Sequence, residues 1–318
     1  MNKLSWILGV LVILAVFILC FLAIDFVGSP EEDKGPEVVM EVIATSETNA
    51  PLIDVARRQG WIAADANEMT SIDASKVTDL GTAFQRSKVE HLDELRYFVG
   101  LQEIHAGAFA HSDALRTIVI PQYVTVIDDG ALADCPSLTS ISVDSANTHY
   151  DSRGECNAVV HTWKGSLMIV AGCSTTIISD DVRYIAPMAF SGCRNLKSIT
   201  LPEKMTEIGG QAFRNCSSLT EFVIPQGVRF VEDGTFMGCT ALQTVTIPKS
   251  VERLRKDSFC GCRALTTINC IKKFPPVIEN AFDSYNATVN VPKGMKSKYQ
   301  ADRYWKSFTS FKEVSGDI

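Results

Sequence analysis

The chain has 318 residues, of which 46% are hydrophobic and 21% are charged, and its formal net charge is -7. This composition is typical of a folded protein with one or two domains, and it excludes disorder along the whole chain. Because the chain is acidic and its sequence has no run of clustered lysines and arginines, nucleic acid is excluded as the main partner.

A membrane-spanning helix is predicted over residues 4–24, where every residue is apolar except Ser5, with one glycine at Gly9. A helix of this length rises about 31 Å, which matches a bilayer core of about 30 Å. Lys3 lies on one side and acidic residues lie on the other, so the positive-inside rule places the N-terminus in the cytoplasm and the chain after residue 28 outside it. Cleavage of this segment as a signal peptide, followed by secretion, is the alternative.

An acidic flexible tether is predicted over residues 28–50. It carries six acidic residues and one lysine, and a segment of this composition buries too little apolar surface to fold alone. Residues 51–79 are predicted to form a small segment that leads into the rest of the chain, with Thr70 and Asp73 near the start of a short helix.

A repeat of 23 residues organises residues 80–290. Its most regular column consists of phenylalanines at this spacing, namely Phe190, Phe213, Phe236, Phe259 and Phe282. Recurring apolar residues at a constant spacing indicate a solenoid, in which each copy is one coil and its inward side chains contact only the coils above and below.

Each copy also contains the pattern L-x-x-I-x-I, which alternates inward and outward side chains as a β-strand does. Repetition of this strand in every coil predicts a parallel sheet with a rise of about 4.8 Å per coil. Serine and threonine are frequent at the outward positions, and these residues also simply suit solvated strands. The outward positions form the candidate partner-binding face, which consists of Thr117, Val119, Ser140, Ser142, Ser198, Thr200, Glu221, Val223, Thr244, Thr246, Thr267 and Asn269.

The repeat resembles the BspA-like leucine-rich repeats of bacterial surface proteins over about residues 70 to 313. The segments AFSGCRNLKSITLPEKMTEI, AFRNCSSLTEFVIPQGVRFV and TFMGCTALQTVTIPKSVERL carry this resemblance. The last part of the chain is similar to the closing segment of that family, in which Tyr299, Trp305 and Phe308 would cover the last coil. The resemblance implies a surface-exposed binding protein associated with adhesion to host matrix proteins or to other cells.

A hairpin insertion is predicted at about 144–177, with Lys164 and Gly165 as its two-residue turn. Pairing in unbroken register about this turn places Cys156 opposite Cys173. Because cross-strand neighbours lie about 4.5–5.5 Å apart, these two residues are a candidate disulfide. The alternative is that both are apolar residues of a protruding hairpin. Trp163, at the tip, is a second candidate contact for a partner.

Five further cysteines recur at one point of successive coils, where leucine-rich repeats commonly carry Asn or Cys. We interpret them as a column of buried thiols, rather than a chain of disulfides or a metal site; they are Cys135, Cys193, Cys216, Cys239 and Cys262.

Local sequence contains no catalytic motif. The five histidines form no H-E-x-x-H pair, and neither a G-x-S-x-G turn nor a Walker-type glycine loop is present. The sequence therefore predicts a protein that is not an enzyme and that has no catalytic residue, no cofactor and no metal site.

The predicted fold class is an α/β-type repeat solenoid: a right-handed leucine-rich-repeat coil with a parallel sheet, little helix and one N-terminal transmembrane helix. Its predicted parts are the helix or signal-anchor (1–27), the tether (28–50), the leading segment (51–79), the repeats (80–290) and a C-terminal cap (291–318). The predicted function is binding of proteins, either host matrix or other cell-surface proteins, in surface adhesion. A scaffold or sensor acting within the cell's own periplasm is the alternative.

Overall fold

The computed structural model describes residues 39–315. The predicted membrane helix, residues 4–24, and the first part of the predicted tether lie outside these residues. Within the described part, no helix is both long enough and apolar enough to cross a membrane. The described α-helices are short: α1 (Ala50–Gln59), α2 (Ser71–Ser75) and α3 (Lys296–Ala301). The described 3-10 helices are Asp93–Tyr97, Arg153–Glu155 and Trp305–Ser307.

Two strands precede the coils, and strands are numbered along the chain. Strand β1 (Val42–Thr45) pairs antiparallel with β2 (Glu68–Thr70). The prediction of a tether is therefore wrong for β1, because its β-favouring run V-I-A-T finds a partner strand, and Ala44 is fully buried there. The acidic composition of the surrounding segment conceals this short run.

The leading segment is held by two helix caps. The side chain of Asn49 accepts a hydrogen bond from the Leu52 N–H at the start of α1. At α2, the Thr70 hydroxyl accepts from the Asp73 N–H, and the Asp73 carboxylate accepts from the Thr70 N–H. The predicted short helix near Thr70 and Asp73 is therefore confirmed.

The L-x-x-I-x-I segments form parallel ladders, as predicted, but the sheet is divided into two parts. The N-terminal ladder consists of β3 (His91–Leu92), β5 (Thr117–Ile120) and β7 (Ser140–Val143). The C-terminal ladder consists of β13 (Glu221–Val223), β15 (Thr244–Ile247), β17 (Thr267–Cys270), β19 (Thr288–Pro292) and β20 (Ser310–Val314). The corresponding segment of the coil between them, residues 196–201, is not a strand.

A second wall of each coil is built from two-residue strands, which are also parallel. These strands are β4 (Glu103–Ile104) and β6 (Val126–Ile127), followed further along by β14 (Phe230–Val231), β16 (Arg253–Leu254) and β18 (Val277–Ile278). The long strands therefore form one wall and the short strands form the other. The phenylalanine and cysteine columns lie in the turn that leads from the short strand of each coil to its long strand, and we call this the turn side of the solenoid.

The phenylalanine column stacks as the spacing predicts. Consecutive rings from Phe190 to Phe282 lie 5.1 to 5.8 Å apart, with interplanar angles of 4° to 15°. At the C-terminal end, the Phe308 ring lies 5.3 Å from Phe282, and the Trp305 Nε1–H donates to the Pro276 carbonyl at 2.7 Å. Trp305 and Phe308 thus cover the last coil, and Tyr299 is fully buried beside them.

The insertion adds three strands to the short-strand wall. The resulting five-stranded sheet consists of β8 (Tyr150–Asp151), β9 (Ala158–Trp163), β10 (Ser166–Gly172), β11 (Val182–Ile185) and β12 (Glu207–Ile208). Lys164 and Gly165 form the turn of the β9–β10 hairpin, with φ angles of 49° and 73°. Positive φ at both positions is the conformation that a two-residue type I′ turn requires, so the predicted turn is confirmed.

The hairpin has a β-bulge that the predicted pairing does not include. Val160 lies opposite Ile169, but Val159 lies opposite Ala171, so the register shifts by one residue. The predicted position of Cys156 opposite Cys173 is therefore wrong. A shift of one residue turns a side chain to the other face of the sheet, and the two cysteines pack in different cores as free thiols.

The hairpin separates two hydrophobic cores. On one face, Val159 and Val170 pack into the core of the N-terminal coils; on the other, Val160 and Ile169 pack into the core of the C-terminal coils. The alternative, in which the hairpin protrudes from the solenoid, is therefore also wrong, except for the tip of the hairpin. On the turn side the coils remain in direct contact across the insertion, because the Asp134 N–H donates to the Ser191 carbonyl at 2.8 Å.

Candidate partner-binding face

The C-terminal ladder presents two rows of outward side chains. In-register parallel pairing places equivalent residues of neighbouring coils side by side. The first row is Glu221, Thr244, Thr267, Thr288 and Ser310. The second row is Val223, Thr246, Asn269, Asn290 and Lys312. Six of the predicted face residues lie together here, and all six are exposed or half-exposed.

Hydrogen bonds along the second row hold its amides in one orientation. The Asn290 Nδ2–H donates to the Asn269 Oδ1 at 2.8 Å, and the Asn269 Nδ2–H donates to the Thr246 Oγ1 at 3.3 Å. Val223, at the end of the same row, is 66% exposed. The face therefore combines a preordered polar row with one apolar side chain that no neighbouring coil covers.

Four face residues were not predicted from the repeat: Thr288, Asn290, Ser310 and Lys312. The interval from Thr267 to Thr288 is two residues shorter than the repeat, and β20 belongs to the closing segment. The alternation in the sequence T-V-N-V, with apolar residues at every second position, is the signal that identifies the outward residues of β19.

The N-terminal ladder contributes less than predicted. Val119 is only 9% exposed, because the 3-10 helix Asp93–Tyr97 follows the two-residue strand β3 directly and packs against β5. Val119 is outward on β5, as predicted, but it is covered, so the prediction that it is available to a partner is wrong. The hydroxyl of Thr117 donates to the Asp93 Oδ1 at 3.3 Å and lies 3.1 Å from the His91 Nδ1.

The other predicted residues lie apart from the main rows. Ser140 and Ser142 are outward on β7, while Ser198 and Thr200 are exposed in a segment that belongs to neither ladder. The insertion separates these two pairs from each other. The twelve predicted residues therefore lie on two separate ladders and on the segment between β11 and β12, rather than on one continuous face.

Trp163 lies on the opposite wall, at the hairpin tip. Its ring packs edge to face on Tyr184 at 4.9 Å, and the Lys164 Nζ lies 3.9 Å from the ring centroid. It is only half-exposed. A partner on the C-terminal ladder and a contact at Trp163 would therefore use different sides of the solenoid.

The cysteine column is buried, as predicted, and each member has a hydrogen-bond acceptor. The Cys216 Sγ lies 3.2 Å from the Phe190 carbonyl oxygen, and Cys239 makes the equivalent contact with Phe213 at 3.1 Å. Burial raises the pKa of the Cys239 thiol to about 12, which keeps it protonated at neutral pH. Within residues 39–315 no group of three or more His, Cys, Asp or Glu side chains is placed to hold a metal ion.

A comparison with solved structures finds leucine-rich repeat proteins that are similar over about two thirds of this chain. A leucine rich cell surface protein from Faecalibacterium prausnitzii is 20% identical, with a TM-score of 0.49, over 68% of this chain and 58% of its own. A leucine-rich repeat protein from Eubacterium ventriosum is 24% identical, with a TM-score of 0.45, over 67% of this chain and 61% of its own. The chain thus spans about three fifths of the length of both proteins.

The sequence has no match among curated proteins. The family model described as BspA type leucine rich repeat region matches six copies, over residues 68–154 and 171–288. The interval between the two matched ranges contains β9 and most of β10, so the family match stops and resumes around the hairpin. Because the matched ranges make up more than half of the chain, this protein belongs to the BspA-type leucine-rich repeat family.

Proposed function

We propose that this chain is a non-enzymatic, membrane-anchored protein that binds other proteins in surface adhesion. The solenoid would lie outside the cytoplasm, held by residues 4–24. Its partner would be a host matrix protein or another cell-surface protein, bound on the two outward rows of the C-terminal ladder.

The observation that carries the proposal is the continuous outer face of the C-terminal ladder. Rigid solenoids bind large or extended partners on such repeated surfaces. The amides of Asn269 and Asn290 are already ordered by their mutual hydrogen bond, so a partner would not have to order them on binding. Val223 supplies exposed apolar area next to this polar row.

Two substitutions on the face and one matched control substitution test the proposal. Val223→Arg and Thr246→Arg place large cations on the second row, whereas Val126→Arg places the same side chain at an exposed strand position on the opposite wall. We expect the first two variants to reduce attachment of expressing cells to a matrix-coated surface by about tenfold or more, with Val126→Arg close to wild type. Equal attachment by all three folded variants would exclude this face.

The cellular location is tested separately. An extracellular protease added to intact cells should remove the solenoid if it faces the outside of the cell. Protection from the protease in intact cells, together with cleavage after the outer envelope is permeabilised, would instead favour the periplasmic scaffold or sensor. The mass of the mature protein would show whether residues 4–24 are retained as an anchor or removed as a signal peptide.

A further inference from the structure

Two adjoining clefts lie on the turn side of the first coils, and they share Arg86, Ser87 and Lys88 in their walls. One cleft, of about 560 Å³, continues over the start of α1 to Arg58. The other, of about 490 Å³, continues in the opposite direction to Arg194. We call this surface the basic row and define it by Arg58, Arg86, Lys88, His111 and Arg194.

The basic row is strongly positive although the chain as a whole is acidic. Its two clefts are lined by five lysines and arginines and by two carboxylates, Asp54 and Asp113. Asp54 is already paired, because its Oδ1 lies 3.4 Å from the Arg57 Nη1. By contrast, Arg86, Lys88 and Arg194 are exposed and have no carboxylate partner within 4.0 Å among residues 39–315.

Two members of the row have a positive backbone φ, a conformation that costs energy for an arginine. Arg86 and His111 have φ angles of 56° and 60°. The equivalent residues of the following coils, which share this positive φ, are Asp134, Gly192, Asn215, Gly238 and Gly261. Gly, Asn and Asp adopt the left-handed region most readily, whereas Arg rarely does. Strained residues of this kind concentrate at ligand-binding sites.

The coil between His111 and Arg194 does not cancel the positive charge. The carboxylate of Asp134 is buried and lies 3.9 Å from the Nη1 of Arg214, a cation outside the two clefts, with which it is paired. The turn position held by Lys88 in its coil is held by Arg194 three coils later. At about 4.8 Å per coil, these two cations are separated by about 14 Å along the solenoid axis.

We propose that the basic row binds a sulfated polysaccharide. The cations are spread along a line, and the carboxylate of Asp113 lies among them, so the row fits a linear polymer whose anions are separated by sugar rings. Double-stranded DNA carries one charge per about 1.7 Å, and such continuous charge would meet Asp113 directly. At the start of α1, Pro51 has no N–H group, and the Leu52 and Ile53 N–H groups already donate to Asn49, so these groups are not available to a single phosphate.

The test uses the full chain in a non-ionic detergent and a heparin-derived oligosaccharide as the probe. The variant with Arg86→Glu, Lys88→Glu and Arg194→Glu is compared with one carrying Lys204→Glu, Lys249→Glu and Arg263→Glu. The control changes the net charge equally at exposed cations outside the clefts. At about 0.15 M salt we expect the first variant to bind about tenfold more weakly or worse, with a reduced salt dependence, and the control to bind within about twofold of wild type.

A single substitution separates binding from folding. Arg86→Gly removes one cation and also removes the strain at its positive φ, so this variant should bind the probe more weakly while its thermal unfolding midpoint rises. An equal loss of binding in both triple variants would overturn the proposal, as would unchanged binding in the Arg86, Lys88 and Arg194 variant. Tighter binding of polyphosphate or duplex DNA than of the oligosaccharide would also overturn it.

Discussion

The thiol of Cys216 donates a hydrogen bond to the backbone carbonyl of Phe190, one coil earlier, at 3.2 Å. The same relationship recurs between Cys262 and Phe236 at 3.2 Å, and in one early coil the hydroxyl of Ser112 takes the place of the thiol, donating to the Phe84 carbonyl. The cysteine column thus supplies a small, buried donor to a carbonyl that lies inside the solenoid. This requirement explains why a short donor side chain recurs at this position instead of a larger apolar one.

The donor role of Cys216 predicts different outcomes for two substitutions. Cys216→Ser retains a donor, as Ser112 does in its own coil, whereas Cys216→Ala leaves the Phe190 carbonyl without the thiol's hydrogen bond and also leaves a small void. We expect the alanine variant to lose about 1–2 kcal/mol of unfolding free energy and the serine variant to lose less. Urea unfolding measures both. An alanine variant at least as stable as the serine variant would contradict the proposed role.

Reactivity should distinguish Cys260 from the column. Cys260 is only partly buried, whereas Cys216 is fully buried in its coil. Alkylation of the native protein at pH 8, followed by peptide mapping, should therefore modify Cys260 well before Cys135 or Cys239. Denaturant should remove this difference. Rapid modification of the column in the native state would show that these thiols are accessible.

The same burial predicts a loss of stability at high pH. The pKa of both Cys135 and Cys239 is raised from 9.0 to about 12, chiefly because burial disfavours the thiolate. The unfolded chain therefore ionises first, so the stabilising contribution is complete below pH 9 and decreases as the pH rises toward 12. The urea midpoint should fall over this interval. Replacement of both residues by serine should reduce the pH dependence.

Substitution of Gly172 tests how closely the hairpin strand β10 packs on the core of the C-terminal coils. A Cβ atom at this position would lie 2.2 Å from the Phe190 Cε1, so Gly172→Ala should displace the first ring of the phenylalanine column. We expect a loss of about 1–3 kcal/mol. Gly210→Ala is the milder comparison, since its nearest contact, the backbone oxygen of Asp233, would be 3.3 Å away, and we expect it to cost less than Gly172→Ala.

A double substitution checks that the ring of Phe190 is the cause. Phe190→Leu shortens the side chain that Gly172 accommodates, so the loss in Gly172→Ala combined with Phe190→Leu should be smaller than the sum of the two single losses. Additive losses in urea unfolding would show that the alanine acts through another contact.

The bulge in the β9–β10 hairpin predicts that Cys156 and Cys173 remain thiols. Each packs in a different core, so no rotation of the side chains alone can join them. Mass spectrometry of the non-reduced protein should find both in the free form. A Cys156–Cys173 crosslinked peptide would show that the hairpin register differs from the one described.

The sequence by itself determined the coils, the stacked phenylalanines, the buried cysteines and the aromatic cover around Trp305. The coils, the phenylalanines and the cysteines follow from a spacing of 23 residues, because in a solenoid each coil contacts only its neighbours and a local repeat also specifies the distant contacts. The aromatic cover around Trp305 follows instead from the resemblance of the closing segment to that of the family. Where the spacing breaks, the repeat no longer specifies which residues meet. The interval before Thr288 is two residues shorter than the repeat, so the repeat does not identify β19 and β20, the last two strands of the face.

Only the tertiary structure decided the features that depend on more than the repeat. The register of the hairpin follows from the two cores on which Val159 and Val160 pack, and a single extra residue at the bulge reverses the side of each cysteine. Val119 is buried by a helix that interrupts the pattern. The basic row joins Arg58 to Arg194, because stacking brings together cations that no sequence window contains, and their charges add only at the distances that the folded coils set.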